Sequence, residues 1–193
     1  ALSGGSTPLP ILGLLKDFNL NWKYFNFFMV DERCVTISSS SSNYGNIKKV
    51  FLRYVKSNAH PIINDNDSID QCVSNYEKLL YSEIPSRKNN IPIFDLILLG
   101  MGDDGHTASL FPNTKGLHEN KKVVIKNSIP KLNTNRITLT YPIILNASKI
   151  IIFVKGKAKY KILKEIVMGR GDQYPIDRII KSNIDTTCIL GKN

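Results

Sequence analysis

A histidine set among glycines and aspartates is the residue in this chain best suited to do chemistry. In FDLILLGMGDDGHTASLFP, Phe94 to Pro112, an apolar run of strand length ends at Gly100, and Gly102 and Gly105 let the backbone turn tightly before His106. An imidazole in such a turn can accept a proton from water or a hydroxyl near neutral pH. The pattern predicts a short helix starting near His106, whose dipole would disfavour the protonated ring and leave a nitrogen lone pair free. Asp103 and Asp104 stand close enough in sequence to orient the ring.

Three other clusters carry groups that could hold an anion. LSGGSTP, Leu2 to Pro8, joins a strand end to glycines, hydroxyl residues and a helix-starting proline, so backbone N–H groups of Gly4, Gly5, Ser6 and Thr7 could cradle a phosphate. The same composition also makes plain turns, and with no Gly-Lys-Ser/Thr following it is not a Walker loop. DERCV, Asp31 to Val35, follows a predicted strand and reads either as a surface ion pair or as a rigid guanidinium fork, Arg33, flanked by Asp31 and Glu32. Lys159 lies three residues after Gly156 at a strand-to-helix junction, in a lysine-rich stretch where most side chains are solvated. His60 and His118 lack such a setting and read as structural.

The order of these motifs resembles the 6-phosphogluconolactonases, within the superfamily that includes the glucosamine-6-phosphate deaminases. GMGDDGHTASLFP looks like the lactonase signature, and Thr107 to Pro112 match that branch, whereas deaminases continue with an Ile-Ala-Phe-Asn-Glu-Pro-like sequence. The resemblance runs from Leu2 to about Met168 and weakens in the closing TCILGKN. It implies hydrolysis of 6-phospho-D-glucono-1,5-lactone in the oxidative pentose phosphate pathway, with His106 as general base, Asp104 fixing its tautomer and Arg33 meeting the oxyanion or a substrate hydroxyl. Gly4, Gly5, Ser6 and Thr7 would hold the sugar phosphate with Arg136 of NRITLTYP and Lys159 of GKAKYK. Asp31, and Asn43 of the following Ser-Asn-Tyr, complete the expected substrate-binding set. No metal or organic cofactor is required by this scheme. Some relatives join such a domain to glucose-6-phosphate dehydrogenase, so fusion or association with that enzyme is implied as well. Two rivals share the fold: a glucosamine-6-phosphate deaminase or isomerase, and a sugar-phosphate-binding module without turnover.

The elements that must position these residues alternate. A helix from Pro8 to about Phe18, a buried strand from Tyr24 to Val30, and helical stripes at Ile47–Val55 and Ile69–Leu80 precede the histidine segment. Strands at Ile137–Thr140 and Ile150–Val154, a short helix from about Pro142 and a helix over Lys157–Met168 follow it. This alternation predicts an α/β fold, a three-layer Rossmann-like domain with a mainly parallel sheet flanked by helices, binding ligands outside the carboxyl ends of its strands. Residues 1–193 read as a single domain whose opening strand is absent, since ALSGGSTP already enters a turn. Five serines, Ser38 to Ser42, read as a flexible surface insertion.

Composition narrows the partners. A net charge of +10 invites a nucleic-acid reading, but no zinc-finger spacing, basic zipper or aromatic RNP-like strand accompanies it. The charge serves better to draw anionic substrates inward. No apolar run reaches the roughly 20 residues needed to cross a bilayer, so a soluble, cytoplasmic protein is expected. Cys34, Cys72 and Cys188 are scattered and have no metal-ligand spacing, which fits a reducing compartment.

Overall fold

The computed structural model describes residues 1–192. Helix α1 (Pro8–Leu15) is followed by strands β1 (Asn26–Phe28) and β2 (Asp31–Arg33), helix α2 (Asn43–Val50), strand β3 (Asn58–His60) and helix α3 (Ile69–Glu83). Then come β4 (Arg87–Lys88), β5 (Ile91–Pro92), β6 (Ile97–Gly100), β7 (Val124–Ile129) and β8 (Thr134–Leu139). Helix α4 (Tyr141–Ile144), β9 (Lys149–Lys155), α5 (Lys157–Val167), α6 (Asp177–Ile180) and β10 (Asp185–Gly191) complete the order.

A parallel sheet forms the centre. Strand β9 lies between β6 and β10, and β1 pairs with β3, every pair parallel. Leu2 joins the two pieces, bridging Met29 on one side and Leu98 on the other. Its N–H donates to the Phe28 carbonyl at 2.7 Å and its carbonyl accepts from Val30 N–H at 2.9 Å. The strands read as near-continuous β-branched and aromatic runs because both faces are covered: Ile97, Leu99, Ile150, Ile152 and Met29 are all fully buried. The α/β architecture expected from the sequence is therefore present.

A second, antiparallel sheet, β2–β8–β7, was not legible in the alternation. It pairs Asp31 with Thr138, Glu32 with Ile137 and Arg33 with Arg136. Only β8 was foreshadowed, by the strand expected at Ile137–Thr140; β2 is three residues long and β7 is mixed in polarity, so neither of those stood out by period.

Other boundaries differ from expectation for local reasons. The strand after Tyr24 is confined to Asn26–Phe28, because Trp22–Tyr24 forms a 3-10 turn with Tyr24 exposed. Phe51, at φ −137°, breaks the Ile47–Val55 stripe into α2 and a second 3-10 turn. Helix α1 stops at Leu15, short of Phe18. The serine run is not a loose insertion: Ser42 caps α2, its hydroxyl accepting from Gly45 N–H at 3.0 Å. No helix begins at His106; the segment from Gly100 to Pro112 is a chain of turns, with positive φ at Gly105 (+75°) and Ala108 (+51°). Those left-handed residues interrupt any helical run, so the expected dipole effect at the imidazole is withdrawn.

Candidate active site

The carboxyl ends of Leu2, β6 and β9 lie on one edge of the parallel sheet, and each delivers a loop to the same cleft. From the Leu2 strand comes Gly4 to Thr7. Gly5 has φ +103°, and a Cβ on Gly4 would lie 2.0 Å from Asn43 Oδ1, so both positions need glycine. The N–H groups of Gly4 to Thr7 find no protein acceptor among the described residues, and they open onto the cleft just before Pro8 starts α1.

From β6 comes the histidine loop. It closes on itself: Gly102 N–H donates to the His106 carbonyl at 2.8 Å, and Gly105 N–H to the Gly102 carbonyl at 3.1 Å. The Asp104 carboxylate accepts from both His106 N–H, at 3.1 Å, and His106 Nδ1–H, at 2.5 Å. In the neutral ring that bond selects the Nδ1–H tautomer, whose lone pair is on Nε2, and Nε2 has no protein partner among the described residues. The hydrogen bond from His106 also holds the Asp104 carboxyl down at about 2, against the upward push of burial. His106 lines the cleft; Asp104 supports it from behind and is not part of the wall. Asp103, by contrast, is exposed and lies 4.0 Å from Lys159 Nζ.

From β9 comes Gly156, at φ +112°, which turns the chain into α5 and brings Lys159 to the cleft with its side chain 16% exposed. The two arginines arrive from the antiparallel sheet. Arg33 and Arg136 are register partners across β2 and β8, both lining the cleft, and Arg33 is steadied by donating from Nη1 to the Ser41 carbonyl at 2.7 Å. Burial, with the facing Arg33 next, lowers the pKa of Arg136. Like charges directly opposite on a sheet destabilise it unless an anion lies between them.

Asp31 and Asn43 are in the cleft wall, but their polar atoms are largely engaged. Ser109 Oγ donates to Asp31 Oδ2 at 2.6 Å, and Asn43 Nδ2 donates to Asp31 Oδ1 at 3.2 Å and to its carbonyl at 3.0 Å. Glu32 sits beneath them, 1% exposed, accepting from the N–H groups of Arg33, Asn43 and Tyr44 and from the Ser42 hydroxyl. Burial pushes the Glu32 carboxyl above its usual value while those N–H groups pull it back.

The eleven residues that the resemblance assigned to the site thus gather at one cleft of about 160 Å³, ten in its wall and Asp104 behind His106, while Asp103 does not reach the ring. Ser109 and Phe111 were missed. Their signal was available in the same segment, but a serine and a phenylalanine after a turn are ordinary until their partners are known. Among the described residues no group of His, Cys, Asp and Glu is arranged to hold a metal ion, and no helix is long and apolar enough to cross a membrane.

The family described as glucosamine-6-phosphate isomerases/6-phosphogluconolactonase matches residues 1–188, and the chain belongs to it. Among relatives, a 6-phosphogluconolactonase of Chlamydia pneumoniae is 37% identical over 185 residues, covering 93% of this chain and 69% of the relative. One of Haemophilus influenzae is 35% identical, covering 100% and 84%. The solved structure of 6-phosphogluconolactonase from Trypanosoma cruzi superposes with a TM-score of 0.85 at 30% identity, over 98% of this chain and 80% of that one.

Proposed function

We propose that this chain hydrolyses 6-phospho-D-glucono-1,5-lactone to 6-phosphogluconate, in the oxidative pentose phosphate pathway and in the cytoplasm. The observation that carries the reading is the Asp104–His106 pair, with Nε2 open, sharing a cleft with paired arginines and a turn of unpaired amides. A phosphate dianion suits the second group, and an ester carbonyl under attack suits the first.

In this scheme the amides of Gly4 to Thr7, the Arg136 guanidinium and Lys159 Nζ hold the phosphate. Anchoring at that distance aligns the lactone carbonyl with Nε2. His106 takes a proton from water as its oxygen bonds to the carbonyl carbon. Arg33 stabilises the charge that collects on the carbonyl oxygen. When the carbonyl re-forms, the bond to the ring oxygen breaks and the imidazolium returns its proton to that oxygen. Asp104 stabilises the imidazolium between the two transfers. Asp31 and Asn43, tied to Ser109 and to each other, shape the floor on which the sugar rests. Association with glucose-6-phosphate dehydrogenase, the source of such a lactone, belongs to the same proposal.

A coupled assay tests it, following 6-phosphogluconate oxidation after correction for spontaneous lactone opening. His106→Ala is expected to lower kcat by at least about 100-fold. Near-normal turnover by that variant would remove His106 as the base. Release of ammonia from glucosamine 6-phosphate, or phosphate-dependent binding of the lactone without turnover, would overturn the reaction itself.

A further inference from the structure

The His106 imidazole is gripped by more than its bond to Asp104. Gly102 backs onto the ring so closely that a Cβ there would lie 2.1 Å from Cε1 and Nδ1. Phe111 lies nearly flat against it, with ring centroids 3.9 Å apart and planes inclined by 20°. Phe111 is half-buried and takes no part in the hydrophobic core, so its large apolar face is given to the imidazole and not to packing.

Its position has a second property. Phe111 lines the cleft, and it also lines a separate hollow of about 270 Å³ that it shares with Asp104, Pro112, Thr114, Ile129 and Lys131. His106 belongs to the first space and Asp104 to the second. Phe111 therefore borders both the His106 side and the Asp104 side of the pair. A single hydrogen bond at Nδ1 leaves an imidazole free to tilt, because rotation about its terminal torsion has broad minima. A flat ring on one side and a glycine without a side chain beside it reduce that freedom to a slot.

We propose that Phe111 is a positioning residue: it holds the His106 ring at the tilt that aims Nε2 into the cleft. This inference rests on His106 acting as the base.

Two variants separate the flat face from mere bulk. Phe111→Leu keeps an apolar side chain and removes the ring; Phe111→Tyr keeps the ring. In the coupled lactone assay Phe111→Leu should lower kcat by roughly 10- to 100-fold with KM within about twofold, and Phe111→Tyr should restore kcat to within about threefold of the parent. In parallel, long-range ¹H–¹⁵N spectra of His106 read the ring directly. The parent and Phe111→Tyr should show one Nδ1–H tautomer with ring protons displaced by the neighbouring aromatic current. Phe111→Leu should lose that displacement and show both tautomers. An unchanged kcat in Phe111→Leu, a loss confined to KM, or a tautomer balance like the parent's would overturn the proposal. If the parent protein fails to hydrolyse the lactone, the functional reading falls, while the spectra still decide whether Phe111 holds the ring.

Discussion

The 2.5 Å bond between His106 and Asp104 both selects a tautomer and holds the Asp104 carboxyl down at about 2. An acid whose pKa is lowered by folding adds stability above its ordinary value and gives it up as the pH falls through the folded one. The ordinary value here is 3.8, so the contribution is complete above that pH and is lost towards about 2. Denaturation of Asp104→Asn beside the parent should show a gap at neutral pH that closes across this window. At neutral pH the same variant should lose at least about 100-fold in kcat, because an amide can no longer stabilise the imidazolium. Arg136 makes a different prediction. It faces Arg33 in register, so Arg136→Ala removes a repulsion along with the proposed phosphate contact. Without ligand the variant should melt no lower than the parent, while KM for the lactone rises about tenfold or more, a loss of ~1.4 kcal/mol in binding. Melting curves with and without inorganic phosphate check both halves, since the phosphate-induced shift should shrink.

Helix α2 and strand β2 are fastened together by one buried carboxylate. Glu32 receives the first N–H groups of α2 and the N–H of Arg33, so the helix start and the arginine-bearing strand share an anchor. Glu32→Ala leaves those donors buried and unpaired, which should cost about 3 kcal/mol by urea denaturation. The turn at Gly4 depends on the same helix, because Asn43 fills the space where a Cβ would go. Gly4→Ala should therefore raise KM in the coupled lactone assay, since the turn or Asn43 must shift to admit the methyl group. The helices α3 and α5 were legible because their apolar residues recur at helical spacing, and β9 because it is an unbroken apolar run of strand length. The loop at His106 was misread for a related reason. Its residues do not forbid a helix locally; the hydrogen bonds among Gly102, Gly105 and His106 stabilise a turn in its place.

Across the whole molecule the charge of +10 is uneven in its use. Arg33, Arg136 and Lys159 line the cleft, whereas Lys16, Lys126, Lys149 and Lys181 pair with neighbouring carboxylates at the surface. A cationic cleft in a cationic protein should capture a dianionic substrate by steering. The kcat/KM for the phosphorylated lactone should fall several-fold as salt is raised from low to physiological strength, and turnover of uncharged glucono-1,5-lactone should hardly respond. Equal salt dependence for the two substrates would show that the net charge has no part in capture.

Residue order alone was enough to pick out the groups that gather at the cleft, because short motifs such as GGST and GDDGH place polar groups beside turns that glycine makes possible. What only the tertiary structure decided is how those groups are coupled. The Arg33–Arg136 pairing spans about a hundred residues of chain, as does the bond from Ser109 to Asp31 to a lesser degree, and no local pattern encodes either. Of the two influences expected at the imidazole, the helix dipole is absent and the Asp104 contact is present, with Gly102 and Phe111 set against the ring as the sequence did not indicate. Periodicity reports which face of an element is buried; it carries no information about which distant side chain completes a site, since that depends on where the packed layers bring the loops.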